Sequence, residues 1–296
     1  MEKQVSDQVQ RGVYLAARMA SDFEVSREHY DQTFPGDHVE LGKRDHAPAC
    51  ASYCVDGGIS DPFNVRWNMS LVDRNIAGKL AETPLLQFAH EDRDVHLAIC
   101  AGHDDCLGIN EAITELRRLY DQVDEDPDVI QERISRRCAE MNRAIHPKEK
   151  LIYRLLCSGG VDIYEALKQQ PDVKPINAAM AEEWARQQIY FALENELVYN
   201  LVRQGRLVLA SSMVHFPDEH HQETNLNMIV AGDGEELAFV HGSDIIEVFE
   251  GVVSDAFLDS DGTVDRDQMM KRCDSMWVSD VYLGTNRLKP GDPWAE

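Results

Sequence analysis

Two short apolar runs, each ending in metal-ligating side chains beside glycine, constrain the fold more than anything else in the chain. The first is Ala49-Cys50-Ala51-Ser52-Tyr53-Cys54-Val55-Asp56-Gly57-Gly58; the second is His96-Leu97-Ala98-Ile99-Cys100-Ala101-Gly102-His103-Asp104-Asp105-Cys106-Leu107-Gly108. A short run that is apolar throughout fits a parallel strand buried on both faces, and α/β sheets build their sites at the C-terminal ends of such strands. Glycine beyond the strand lets the chain turn sharply. Together the two ends offer Cys54, His103 and Cys106.

Two thiolates and one imidazole suit a tetrahedral Zn²⁺ site and leave a fourth position for water or an acid. The spacing His103-Asp104-Asp105-Cys106 sets imidazole and thiolate one helical turn apart if the strand gives way to a helix there. An isolated H-x-x-C pair reads more readily as a core thiol beside a hydrogen-bonded histidine; Cys54 at a second strand end favours the metal. With its fourth position open, such a centre lowers the pKa of bound water to about 7 and makes a hydrolytic or hydrating site. Closed by a fourth protein ligand, it is structural or latent. Asp56, two residues beyond Cys54, is the nearest candidate for that ligand.

Around these ends the chain reads as an α/β protein with a mainly parallel β-sheet core flanked by helices. Strands are expected at 48–54, 65–72 and 95–100, with a helical stretch at 84–90 completing a βαβ unit with right-handed crossovers. Upstream, 6–34 reads as helical, with Val9, Val13, Ala16, Ala17 and Met19 on one stripe and Phe34-Pro35-Gly36 ending it. This makes 1–45 an N-terminal helical arm, which either covers the sheet of its own subunit or reaches to a partner. The zinc domain is expected over 46–240, with a charged helical insertion at about 110–175 broken at Asp126-Pro127, His146-Pro147 and Gly159-Gly160. A long helix at 182–202, a strand at 205–216 and a hairpin partner near 227–230 follow. A helical C-terminal extension occupies 241–296.

Composition excludes several partners. The formal charge of −24, from 29 Lys and Arg against 53 Asp and Glu, repels nucleic acid and anionic membrane and is indifferent to a small neutral substrate. No run approaches the roughly 18 apolar residues that span a bilayer. The polar N-terminus lacks the apolar segment of a secretory signal, so a reducing, cytoplasmic setting is expected, with the seven cysteines as thiols or ligands. Cys50 and Cys100 read as core residues, and Cys138, Cys157 and Cys273 have no partners at metal spacing. His220-His221 reads as part of a polar hairpin loop. Asp259-Ser260-Asp261-Gly262-Thr263-Val264-Asp265 departs from a calcium loop at Phe257 and Gln268, and reads as a capped turn between two helices.

Taken in order, Cys54-Val55-Asp56, Arg74-Asn75-Ile76-Ala77-Gly78, Leu86-Gln87-Phe88-Ala89 and Gly102-His103-Asp104-Asp105-Cys106 resemble the motif series of the β-class carbonic anhydrases. Asn200 to Leu209 resembles that family's last helix and outer strand, so the similarity spans roughly 48–230. The resemblance implies a zinc enzyme that interconverts carbon dioxide and bicarbonate through metal-bound hydroxide, assembled as a homodimer or higher homo-oligomer. It implies that Cys54, His103 and Cys106 hold Zn²⁺, that Asp56 sits beside the fourth position, and that the backbone near Gly102 lies close to substrate.

One motif departs from the family. Its C-x-D-x-R arginine pairs with the aspartate and keeps it off the metal; here Gly58 stands in that place. An unpaired carboxylate beside a dication gains most by binding it. Three readings follow: hydration of carbon dioxide, with Arg66 or Arg74 supplying the cation; a latent or silent scaffold or regulatory protein closed by Asp56; and hydrolysis of a related small molecule such as carbon disulfide or carbonyl sulfide.

Overall fold

The apolar runs form the strands their composition requires. A computed structural model describes residues 6–21, 32–34, 49–54, 70–75, 80, 95–120, 127–141, 166–169, 172–218, 221–242, 244–259 and 261–273. Strands β1 (Ala49–Cys54) and β3 (Leu97–His103) are buried along their whole length, as parallel strands covered on both faces must be. With β2 (Ser70–Asn75), β4 (Val208–Asp218), β5 (His221–Gly232) and β6 (Leu237–His241) they make one six-stranded sheet of order β2-β1-β3-β4-β5-β6. The β1–β2, β1–β3 and β3–β4 ladders are parallel. The β4–β5 and β5–β6 ladders are antiparallel. The chain is therefore α/β, with a mainly parallel sheet flanked by helices. Strand β6 follows a turn at Gly234 that takes a positive φ, and its short, half-exposed sequence carries no apolar run to announce it.

Helix α1 (Asp7–Ala20) starts where Ser6 accepts a hydrogen bond from Val9 N–H and Asp7 favours the positive end of the helix. Its Val13, Ala16 and Ala17 join Ile99, Ala101, Val208 and Val214 of the sheet in one core. Of the two placements left open above, α1 takes the first and covers its own sheet. Gly12 permits the close approach, since a β-carbon there would stand 2.4 Å from the His96 carbonyl oxygen.

The C-terminal helices α6 (Asp244–Val248), α7 (Glu250–Ala256) and α8 (Arg266–Cys273) close over α1 from outside, adding Ile245, Phe249, Val253, Phe257 and Met269 to the same core. Buried Arg18 ties the layers together: its Nη1 donates to the carbonyls of Ala256 (2.8 Å) and Leu258 (3.0 Å). Ala256 ends α7, where the carbonyls lack helical partners, and Leu258 lies two residues beyond it. The α7–α8 connection is the capped turn expected. Asp259 accepts from the N–H groups of Asp261 and Thr263, and Asp265 from that of Gln268 in the first turn of α8.

On the opposite face lie α4 (Val173–Leu193) and α5 (Glu196–Arg203), where Ala185, Ile189, Val198 and Val202 pack against Cys50, Ala98, Cys100 and Leu209. One helix was expected over 182–202; there are two. The break falls at Asn195, whose side chain accepts from the N–H groups of Leu197 and Val198 and so starts a new helix. Helix α4 also begins earlier than its apolar pattern suggests, at the Asp172 cap. It is buried on nearly all sides over 179–189, so no amphipathic stripe marks it. Helices α2 (Leu107–Tyr120) and α3 (Pro127–Met141) open the helical segment after β3. The helical stretch expected at 84–90 and residues 65–69 of the second strand lie outside the described residues. Among the described residues, no helix is long and apolar enough to cross a membrane.

Candidate metal centre

Strands β1 and β3 are parallel neighbours, and their register, with Ser52 opposite Cys100, carries Cys54 and His103 to the same edge of the sheet. The β3–β4 ladder pairs His103 with Val214, and Asp104 N–H still donates to the Val214 carbonyl (3.1 Å). At Asp105 the backbone enters the left-handed region (φ 54°), which aspartate tolerates better than most side chains. Cys106 follows, and its carbonyl accepts from Asn110 N–H (2.9 Å) to open α2. His103 and Cys106 therefore do not share a helical turn as the spacing suggested. They flank a left-handed turn, which folds the chain back so that both reach the Cys54 strand end.

The three side chains meet. Their ligand atoms all lie within 4.8 Å of one another, and among the described residues this is the one group of three or more His, Cys, Asp or Glu so arranged. Cys54 and Cys106 are each 1% exposed and His103 3%. The sulfurs stand 3.7 Å apart. Thiolates at about 2.3 Å from a tetrahedral Zn²⁺ stand about 3.8 Å apart, so the pair fits that ion without rearrangement. The His103 Nδ1–H donates to the Asp104 carbonyl (2.8 Å), which makes Nε2 the unprotonated nitrogen of the neutral ring. Cys106 lies at the start of α2, where the helix dipole favours a thiolate.

The surrounding residues hold this arrangement. The Asp104 carboxylate turns away from the cluster and accepts from His215 Nδ1 (3.1 and 3.2 Å to its two oxygens) and Phe216 N–H (3.3 Å), tying the ligand turn to β4. The Phe216 ring stands edge-on to the His103 ring, with centroids 6.2 Å apart. Asn177 of α4, wholly buried, accepts from Cys106 N–H (3.0 Å) and donates to the Cys106 carbonyl (3.0 Å) and Asn110 Oδ1 (2.8 Å). Gly102 faces α4 as well: a β-carbon there would stand 2.5 Å from the Ala181 carbonyl oxygen.

Of the residues singled out from the sequence, Cys54, His103 and Cys106 come together, and Gly102 adjoins them. Asp56, Gly58 and Arg66 lie outside the described residues. Arg74 sits on β2 opposite Tyr53, one residue before Cys54. Cys50, Cys100 and Cys273 are core thiols, each pushed up to about 12 by burial. Cys138 lies on α3; Cys157 and His220 are outside the described residues. His221 pairs with Asp218 (2.6 Å) across the exposed β4–β5 turn, as a polar loop histidine should. The sequence reading missed Asn177 and the Asp104–His215 pair. For Asn177 a signal existed, a lone amide within the apolar run Ile176 to Met180; for His215, at the far end of β4, there was none.

No protein-family model matches the chain, and no curated protein sequence matches it. Solved structures do resemble it in shape. A tetrameric β-carbonic anhydrase from the filamentous ascomycete Sordaria macrospora is 14% identical, over 64% of this chain and 82% of that one, with a TM-score of 0.41. The β-carbonic anhydrase CcaA is 14% identical over 64% and 81%, with a TM-score of 0.33. The β-carbonic anhydrase CafA of the fungal pathogen Aspergillus fumigatus is 13% identical over 61% and 76%, with a TM-score of 0.28.

Proposed function

We propose that the chain is a zinc-dependent enzyme for the reversible hydration of carbon dioxide to bicarbonate, with Zn²⁺ held by Cys54, His103 and Cys106. The observation that supports this most is the buried cluster of two sulfurs and one imidazole, spaced for a tetrahedral ion and offering three ligands among the described residues. Bound there, Zn²⁺ would supply a Lewis acid able to activate water near neutral pH.

The chain's own residues do the rest. Burial keeps bulk water from the ligand atoms, the Asp104 carbonyl fixes the imidazole tautomer, and the N-terminus of α2 favours the Cys106 thiolate. The two thiolates balance the charge of a dication, so the centre carries no excess charge to repel bicarbonate. We assign the backbone beside Gly102 to the substrate wall and Asp56 a role at the fourth position. A small neutral substrate is unaffected by the net charge of −24. The proposal includes a cytoplasmic homodimer or higher homo-oligomer that binds neither nucleic acid nor membrane.

The test is stopped-flow carbon dioxide hydration between about pH 6 and 9, the range that brackets a zinc-bound water, on protein of measured zinc content. The expected result is about one Zn²⁺ per chain and turnover well above buffer, both lost in Cys106→Ser. Turnover in metal-free Cys106→Ser protein would overturn the reading. One Zn²⁺ per chain without turnover would replace it with a site closed by Asp56, or, if carbon disulfide or carbonyl sulfide is hydrolysed instead, with a hydrolase of that molecule.

A further inference from the structure

We infer that Asn177 is the positioning residue for the Cys106 ligand, so that helix α4, remote in sequence, sets how tightly the centre holds Zn²⁺. The inference rests on the zinc reading above and adds the residue that preorganises the site.

The amide meets the backbone of one ligand residue, Cys106, on both sides of its Cα. Its Oδ1 accepts from Cys106 N–H and its Nδ2 donates to Cys106 C=O, each at 3.0 Å, while the second Nδ2 proton goes to Asn110 Oδ1 at 2.8 Å. Both donors of the amide are thereby used. Cys106 N–H lies at a helix start, where no intrahelical acceptor exists, and Asn177 supplies the missing one. With the groups on both sides of its Cα held, Cys106 cannot swivel about its backbone, and its Sγ stays 3.7 Å from that of Cys54.

Packing alone does not explain an amide here. Asparagine is a poorer helix former than leucine or alanine, and a wholly buried polar side chain is costly unless it is bonded. All three bonds of Asn177 go to the ligand turn and the helix it opens. Ala181, one turn further along the same face of α4, meets Gly102, just before His103. Helix α4 thus grips the ligand pair from both ends, across the left-handed Asp105 that a free chain would seldom populate.

The experiment measures Zn²⁺ affinity by competition with a chromophoric chelator, and the thiolate-to-cobalt absorption of the Co²⁺-loaded protein, for the unaltered chain and Asn177→Leu. Leucine has similar volume and removes all three bonds. A fall in affinity of about 10- to 100-fold is expected, the usual effect of losing a hydrogen bond behind a metal ligand, with an altered cobalt spectrum. Asn110→Ala keeps both bonds to Cys106 and should stay within about threefold of the unaltered chain. Asn195→Ala removes the α5 cap and lowers stability without touching the site; its affinity should not change. Should Asn177→Leu fail to fold, Asn177→Ala is measured in its place. Unchanged affinity and spectrum in a folded Asn177 variant would overturn the inference and leave the zinc reading intact. No Zn²⁺ bound by the unaltered chain would overturn both.

Discussion

The carbonyl oxygen of Ala181 lies 2.5 Å from where a β-carbon on Gly102 would stand. The atom it would strike belongs to helix backbone, which cannot rotate aside as a side chain can. Gly102→Ala is therefore expected to push α4 from β3 and to cost about 1–3 kcal/mol, the usual range for overpacking a core. Urea unfolding measures the loss. Zinc content should fall with it, because Asn177 rides on the same helix. An unchanged midpoint would mean that α4 yields freely at this point.

Serine keeps the shape of cysteine but is a far weaker zinc ligand. Cys54→Ser, His103→Ala and Cys106→Ser should each leave the folded chain with little zinc after dialysis, measured by atomic absorption. Because Cys54 is 52 residues from Cys106 and joins it only through the fold, equal losses at all three positions would mark one shared ion.

Arg18 joins α1 to the end of α7 through two backbone carbonyls. Burial lowers the affinity of its guanidinium for the proton, a cost that those two bonds offset. Arg18→Met keeps the aliphatic stem and removes both bonds. A loss of about 2 kcal/mol is expected, with a melting point several degrees lower by calorimetry. Zinc binding, on the other face and edge of the sheet, should be retained.

The hydrogen bond from Lys271 Nζ, helped by the nearby Arg272 guanidinium, holds the Glu223 carboxyl below its ordinary value of 4.5. A group whose pKa is lower in the folded state contributes stability above its unfolded pKa and loses it as pH falls through the folded value. Stability from this cluster should be full above about pH 5 and decline below pH 4.5. In Glu223→Gln the acid limb of the urea midpoint against pH should be flatter; an identical limb would show that the cluster does not contribute.

Cys50, Cys100 and Cys273, whose thiols burial pushes up to about 12, should resist iodoacetamide at pH 8 in the native protein and react on unfolding. Mass spectrometry of the labelled peptides reads this directly. Rapid native labelling of Cys50 or Cys100 would show that the sheet opens at β1 or β3.

Much of the sheet and the three residues of the Cys54, His103 and Cys106 cluster were legible in the amino-acid order, because they rest on local signals. An apolar run with glycine at its end marks a buried strand and its edge, and a thiol or imidazole at that edge is a candidate ligand. The net charge of −24 likewise needs no structure to be read. What only the tertiary structure decided is what each run packs against. Helix α1 could have covered its own sheet or another's, since amphipathic periodicity reports that a face is buried, not by what. The left-handed Asp105 replaced the expected helical turn because the β3–β4 ladder extends through Asp104 before the chain is free to reverse. The bonds of Asn177 to Cys106 span 71 residues and that of His215 to Asp104 spans 111. A single polar contact at such separation leaves no periodic trace in the sequence, and it comes into being only when the helix and the strand have packed on the sheet.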